Sequence, residues 1–161
     1  QTAFPTATAW DVEAVVDPRV GEIPSPAGYS LENRVEWLRE AMAGTWAEVA
    51  ARSGAHYRTY RDTVAQAIAG LRADTVVFSH FIAINAVIGA ATGDDRVVVA
   101  SLDNCSVTTF DVSDSGEIVL VETGGEAGLA THWKLAWQAT GWSAPPVKSQ
   151  TSRRRVLRSS V

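Results

Sequence analysis

The residue best placed to do chemistry is His80, which with Ser79 ends the β-branched run Thr75-Val76-Val77-Phe78 and passes straight into the apolar stretch Phe81-Ile82-Ala83-Ile84. A strand this apolar is expected to be buried on both faces, which would put His80 at its carboxyl end, where open α/β sheets hold their ligands. The residues after it would form the first turn of a helix, with free backbone N–H groups and the positive end of the helix dipole. Together they describe an anion site containing an imidazole. The competing reading is structural: a histidine at a strand end often serves only as a hydrogen-bonded, half-buried residue.

The elements that must position His80 follow from periodicity. Residues 1–10 read as the tail of a helix that starts or kinks at Pro5. Residues 17–29 carry Pro18, Gly21, Pro24, Pro26 and Gly28 and read as a loop. Ser30 is a candidate N-cap for a helix running to about Ser53, with Leu31, Val35, Leu38 and Met42 at helical spacing. Tyr57, Tyr60, Val64, Ile68 and Leu71 form a second stripe, more simply read as core than as a cofactor box. Gly93 is the expected C-cap of the helix after His80. Residues 97–101, 106–112 and 117–122 are rich in Val, Ile and Thr and read as strands, with Ser113-Asp114-Ser115-Gly116 as the turn of an antiparallel hairpin. Gly124, Gly125 and Gly128 lack dinucleotide-loop spacing and read as a turn.

Composition narrows the function classes. With 161 residues, 46% hydrophobic content and net charge −4, a single globular domain over residues 1–144 is expected, and nothing points to nucleic acid or an anionic membrane as partner. The apolar run over residues 75–91 is interrupted by Ser79, His80 and Asn85, which favours a buried strand and helix over a membrane span. The lone Cys105 forms no internal disulfide, which with the absence of a leader pattern favours the cytoplasm. His56, His80, His132 and Cys105 show no metal-ligand spacing, and no cofactor is expected. Trp133, Trp137 and Trp142 crowd the carboxyl-terminal region and suit a core cap or a subunit contact. Residues 145–161 turn polar and then basic, with Arg153, Arg154, Arg155 and Arg158, and read as a solvated tail.

The segment Val76-Val77-Phe78-Ser79-His80-Phe81-Ile82-Ala83-Ile84-Asn85 resembles the second catalytic-histidine motif of the histidine phosphatase superfamily, the phosphoglycerate-mutase-like fold. That motif is a strand followed by Ser-His-Gly-Gly-x-Ile-Arg; here Phe81 and Ile82 stand for the glycines and Asn85 for the arginine. Asp17-Pro18-Arg19-Val20-Gly21-Glu22-Ile23 resembles the segment carrying the family's acidic proton donor, with Glu22 as the acid; taken alone, Glu22 would read as an exposed loop acid. Gln1-Thr2-Ala3 followed by Pro5 resembles the helix after the family's Arg-Ala-x-x-Thr-Ala segment. The resemblance spans residues 1 to about 112.

The resemblance implies a three-layer α/β/α sandwich around a mixed, mostly parallel sheet that lacks the family's first strand. That strand ends in Arg-His-Gly, whose histidine is the nucleophile, and the sequence contains no such triplet. His56 and His132 do not follow strand-like runs, so the resemblance places the nucleophile before Gln1 and leaves the chain as the carboxyl-terminal two-thirds of the fold. It also implies phosphomonoester hydrolysis through a phosphohistidine on a small phosphorylated metabolite, with His80 and Glu22 catalytic and the Phe81 backbone N–H binding substrate. The chain by itself would be inactive. Trp37 and Trp46 would help to shape the pocket. Two alternatives stand beside this: a non-catalytic phosphate-binding pseudo-phosphatase, and an interaction domain working through its tryptophan-rich end. Without a first strand, neighbouring strands would keep unpaired edges unless a rearranged strand fills the gap, so a longer protein or a homo-oligomer with exchanged elements is expected.

Overall fold

The computed structural model describes residues 2–124 and 153–159, the latter as backbone only. The expected strand and helix around His80 form as β1 (Thr75–Ser79) and α5 (Phe81–Thr92). Gly93 ends α5 in the left-handed conformation, with φ 71°, and its N–H closes on the Gly89 carbonyl. From Ile82 to Gly89 every residue of α5 is buried, so the helix is packed on all sides rather than along one stripe.

Around this unit stand α1 (Phe4–Trp10), a 3-10 turn at Pro18–Val20, α2 (Leu31–Ala43), α3 (Trp46–Ser53) and α4 (His56–Ala69). Pro5 lies in the first turn of α1, where its missing N–H has no intrahelical acceptor to lose. Ser30 caps α2 as expected, its hydroxyl accepting from Asn33 N. The single helix expected over residues 30–53 is instead two, broken at Gly44-Thr45. Thr45 starts a new helix with a reciprocal capping box: its side chain accepts from Glu48 N, and Glu48 accepts from Thr45 N. The core joins Trp37, Trp46, Val49, Tyr57, Val64 and Ile68 from the helices to α5 and to Phe110 and Val112 of the sheet.

The sheet holds four strands in the order β1-β4-β2-β3, where β2 is Val107–Val112, β3 is Ile118–Glu122 and β4 is Arg153–Ser159. The β2–β3 hairpin is antiparallel as expected. Two expectations fail here. The sheet is mixed but not mostly parallel, since only β1–β4 is parallel while β4–β2 and β2–β3 are antiparallel. Residues 153–159 are not a solvated tail but a central strand hydrogen-bonded on both sides. Non-local pairing decides their state, which a count of arginines does not register. The gap expected beside β1 is therefore filled by the same chain.

Residues 97–101 also depart from expectation and form no strand. The Val99 and Ala100 N–H groups both donate to Asn85 Oδ1, each at 2.8 Å. A side chain of α5 thus takes the donors that a strand ladder would have used. Arg96 alone makes a bridge, to Thr45. Trp133, Trp137, Trp142, His132 and residues 145–152 lie outside the described residues. Among the described residues no helix is long and apolar enough to cross a membrane.

Candidate functional site

His80 is the first residue after β1 and the N-cap of α5, with extended backbone (φ −113°, ψ 162°). Its carbonyl accepts from Ile84 N at 3.0 Å, closing the first helical turn, while its side chain makes no capping bond and is exposed. The imidazole is therefore available to solvent beside the N-terminal turn of a twelve-residue helix that is anchored by burial. Phe81 begins that turn, so its N–H is among those an α-helix leaves without an intrahelical acceptor.

The neighbouring Ser79 is the tie that builds the site. It is only 3% exposed, and its hydroxyl donates to the Val20 carbonyl at 2.7 Å. This bond joins the end of β1 to the loop that carries Glu22. The loop is fixed at further points: the Tyr60 hydroxyl donates to the Gly21 carbonyl at 2.9 Å, the Tyr57 hydroxyl donates to the Pro24 carbonyl at 3.1 Å, and the Ile23 side chain is buried. The 3-10 turn before it is closed by Asp17, whose carboxylate accepts from Arg19 N and pairs with the Arg19 guanidinium at 2.6 Å. Hydrogen bonds from Arg19 hold the Asp17 carboxyl below its ordinary value.

Glu22 is thus half-buried between a pinned glycine and a core isoleucine, and one oxygen accepts from Ile23 N at 2.9 Å. Its charge is felt by Tyr60: burial first, and the Glu22 carboxylate second, push that hydroxyl well above the usual tyrosine range. Glu22 and His80 therefore belong to segments fastened to one another at the carboxyl end of β1. The arrangement offers an imidazole, helix N–H donors and a carboxyl group on a short fixed loop.

Trp37 and Trp46 do not wall a pocket. Trp37 is buried against Tyr57, with ring centroids 5.3 Å apart, and its Nε1 donates to Ser53 Oγ at 2.9 Å. Trp46 is fully buried beside Tyr60. Both serve the core because the break at Gly44 turns α3 back onto α4. His56 opens α4 and lies tilted against the ring of Tyr57, with centroids 4.2 Å apart.

Reading the sequence overlooked Ser79, Tyr57 and Tyr60 as the residues that place Glu22. The two tyrosines carried a signal, since an apolar stripe with hydroxyls at i and i+3 needs partners for them when buried. Among the described residues no group of three or more His, Cys, Asp or Glu stands together as a metal site. Two surface concavities, one along α1 and residues 11–14 and one around Glu40, Glu48 and Arg52, do not include His80. No protein-family model, curated protein or solved structure matches the chain.

Proposed function

We propose that the carboxyl end of β1 binds the phosphate group of a small phosphomonoester and that the chain belongs to a histidine-phosphatase-like machine of the cytoplasm. The observation that supports this is the Ser79–Val20 hydrogen bond, which fastens the Glu22 loop to the residue before His80. In the reaction, a histidine nitrogen attacks phosphorus, the N–P bond forms and the P–O bond to the leaving alcohol breaks. Protonated His80 and the Phe81 N–H stabilise the negative charge spread over the equatorial oxygens. Glu22 gives its proton to the departing alkoxide; as carboxylate it then takes a proton from water, whose oxygen bonds to phosphorus as the N–P bond breaks.

Among the described residues no strand beside β1 ends in a histidine that could attack. The strand parallel to β1 is β4, which ends in Arg158-Ser159, with Ser159 paired to Ser79. This favours the second reading, a non-catalytic phosphate-binding module, for residues 1–161 by themselves. A three-layer architecture is part of the proposal: α5 packs against the sheet face that carries Phe110 and Val112.

Isothermal titration of the chain with inorganic phosphate, alongside an assay of p-nitrophenyl phosphate hydrolysis, tests both readings. We expect binding that His80→Asn weakens at least tenfold, with no turnover. Turnover retained in His80→Asn would contradict the assigned role, and absence of phosphate binding would remove the site altogether.

A further inference from the structure

β4 fills one side of β1, and among the described residues the other side has no strand beside it. In the order β1-β4-β2-β3, β1 is an outer strand, and Thr75 to Phe78 stay half-buried. Outer strands are ordinarily guarded by charge, proline or a bulge, because their unpaired N–H and C=O groups template pairing with another chain. β1 reads Thr-Val-Val-Phe-Ser, with neither charge nor proline, and its register with β4 runs unbroken. The edge is therefore open and unguarded.

The same chain carries an unpaired apolar segment of matching length. Every residue from Asp11 to Val16 is exposed, and residues 12–16 belong to no helix or strand. Among the described residues the backbone of residues 13–16 makes no hydrogen bond. Val15 and Val16 are 90% and 92% exposed, and Val12 56%. Paired as a strand, the segment would place Val12, Ala14 and Val16 on one face. α1, which precedes it, buries no residue, and seven residues are too few for a helix to hold by itself in water. Residues 2–16 are thus an arm that stands clear of the core. Its root is fixed: Pro18 keeps Asp17 extended, with φ −116° and ψ 109°, and the Arg19–Asp17 and Ser79–Val20 bonds pin the turn that follows.

We propose that residues 12–16 of a second copy of this chain add to the open edge of β1, so that two copies exchange arms in a two-fold dimer. The area suffices. The exposed parts of Phe4, Trp10, Val12, Val15 and Val16 amount to about 300–600 Å² of apolar surface per arm. Two arms, each covering a comparable area of the other copy, bury about 1,300–2,400 Å² in total, the size of a stable interface. The exchange also pairs the idle backbone groups of the arm with those of β1, two deficits of one chain that cancel each other.

The test is light scattering on the full chain over a range of concentrations, with hydrogen-exchange mass spectrometry and far-UV circular dichroism, on wild type, Val16→Lys and Val119→Lys. The wild type should show twice the 17.2 kDa of one chain, falling to the single mass on dilution. Residues 13–16 and 75–79 should be protected from exchange together in the dimer and lose part of that protection together on dilution. Val16→Lys, at a position open to solvent in the single chain, should keep the circular dichroism spectrum and raise the dissociation constant at least about tenfold, because the interface would bury a charge. Val119→Lys, on the opposite outer strand, should leave the constant within about twofold. A single-chain mass at every concentration would overturn the exchange, and protection of residues 13–16 in that monomer would show that the arm folds onto its own β1. A dimer indifferent to Val16→Lys, or one that leaves residues 13–16 unprotected, would overturn it equally.

Discussion

Asn85 offers the sharpest test of how the site is held. It is fully buried in α5, its Oδ1 accepts from Val99 N and Ala100 N at 2.8 Å each, and its Nδ2 donates to the Phe81 carbonyl at 3.1 Å. Asn85→Ala removes the acceptor of two backbone donors at once. An amide left unpaired costs about 1–3 kcal/mol when buried. Val99 and Ala100 are half-buried, so water can reach them in part and the low end applies to each. With a further contribution from the space left in the core, the variant should lose about 2–4 kcal/mol of the 5–15 typical of a domain. Urea denaturation followed by tryptophan fluorescence measures this loss, and the denaturation slope should stay unchanged. Hydrogen exchange should quicken at the Val99 and Ala100 amides. A loss below about 0.5 kcal/mol, or protection retained at both amides, would refute the claim that Asn85 replaces a strand ladder for this segment.

Other expectations bear on the ties around the site. Ser79→Ala removes the bond to Val20 O and should cost about 1 kcal/mol; faster exchange confined to residues 18–23 should accompany it in hydrogen-exchange mass spectrometry, and unchanged exchange there would contradict the tie. Gly89→Ala should destabilise by about 1–3 kcal/mol in thermal unfolding, although alanine normally stabilises a helix, because the added Cβ would lie 2.6 Å from the Asp94 carbonyl oxygen; a stabilised variant would show that the loop after α5 yields. The Tyr60 hydroxyl is held above the ordinary tyrosine value of 10.0 by burial and by Glu22. A group with a raised folded pKa contributes stability that is fully present below its unfolded value and declines as pH rises above it. Urea midpoints should therefore fall above about pH 10, less steeply in Tyr60→Phe; equal slopes for the two proteins would refute the assignment.

The strand and helix at residues 75–93 were legible because both local signals agree: a β-branched run, then an apolar stretch ended by a glycine in the left-handed conformation. The break at Gly44 was also written in the chain as Thr45-Trp46-Ala47-Glu48, a capping-box pattern, but the apolar period running through it hid the new start. Residues 97–101 misled because valines report a preference for strand while the donors they would use were claimed by Asn85, fourteen residues away. β4 was illegible for a stronger reason: a segment with four arginines acquires its conformation only from the two strands on either side. The position of Glu22 was suggested by resemblance, whereas the bonds that hold it come from Ser79 and Tyr60, distant in sequence and silent in composition.

The most direct measurement is a two-dimensional ¹H–¹⁵N map of the chain during titration with inorganic phosphate. The account predicts that the largest changes fall on the His80 imidazole and on the amides of His80, Phe81 and Ile82, with smaller ones at Glu22 and Ser159. Changes centred elsewhere, or none at saturating phosphate, would contradict the claim that the carboxyl end of β1 is a phosphate site.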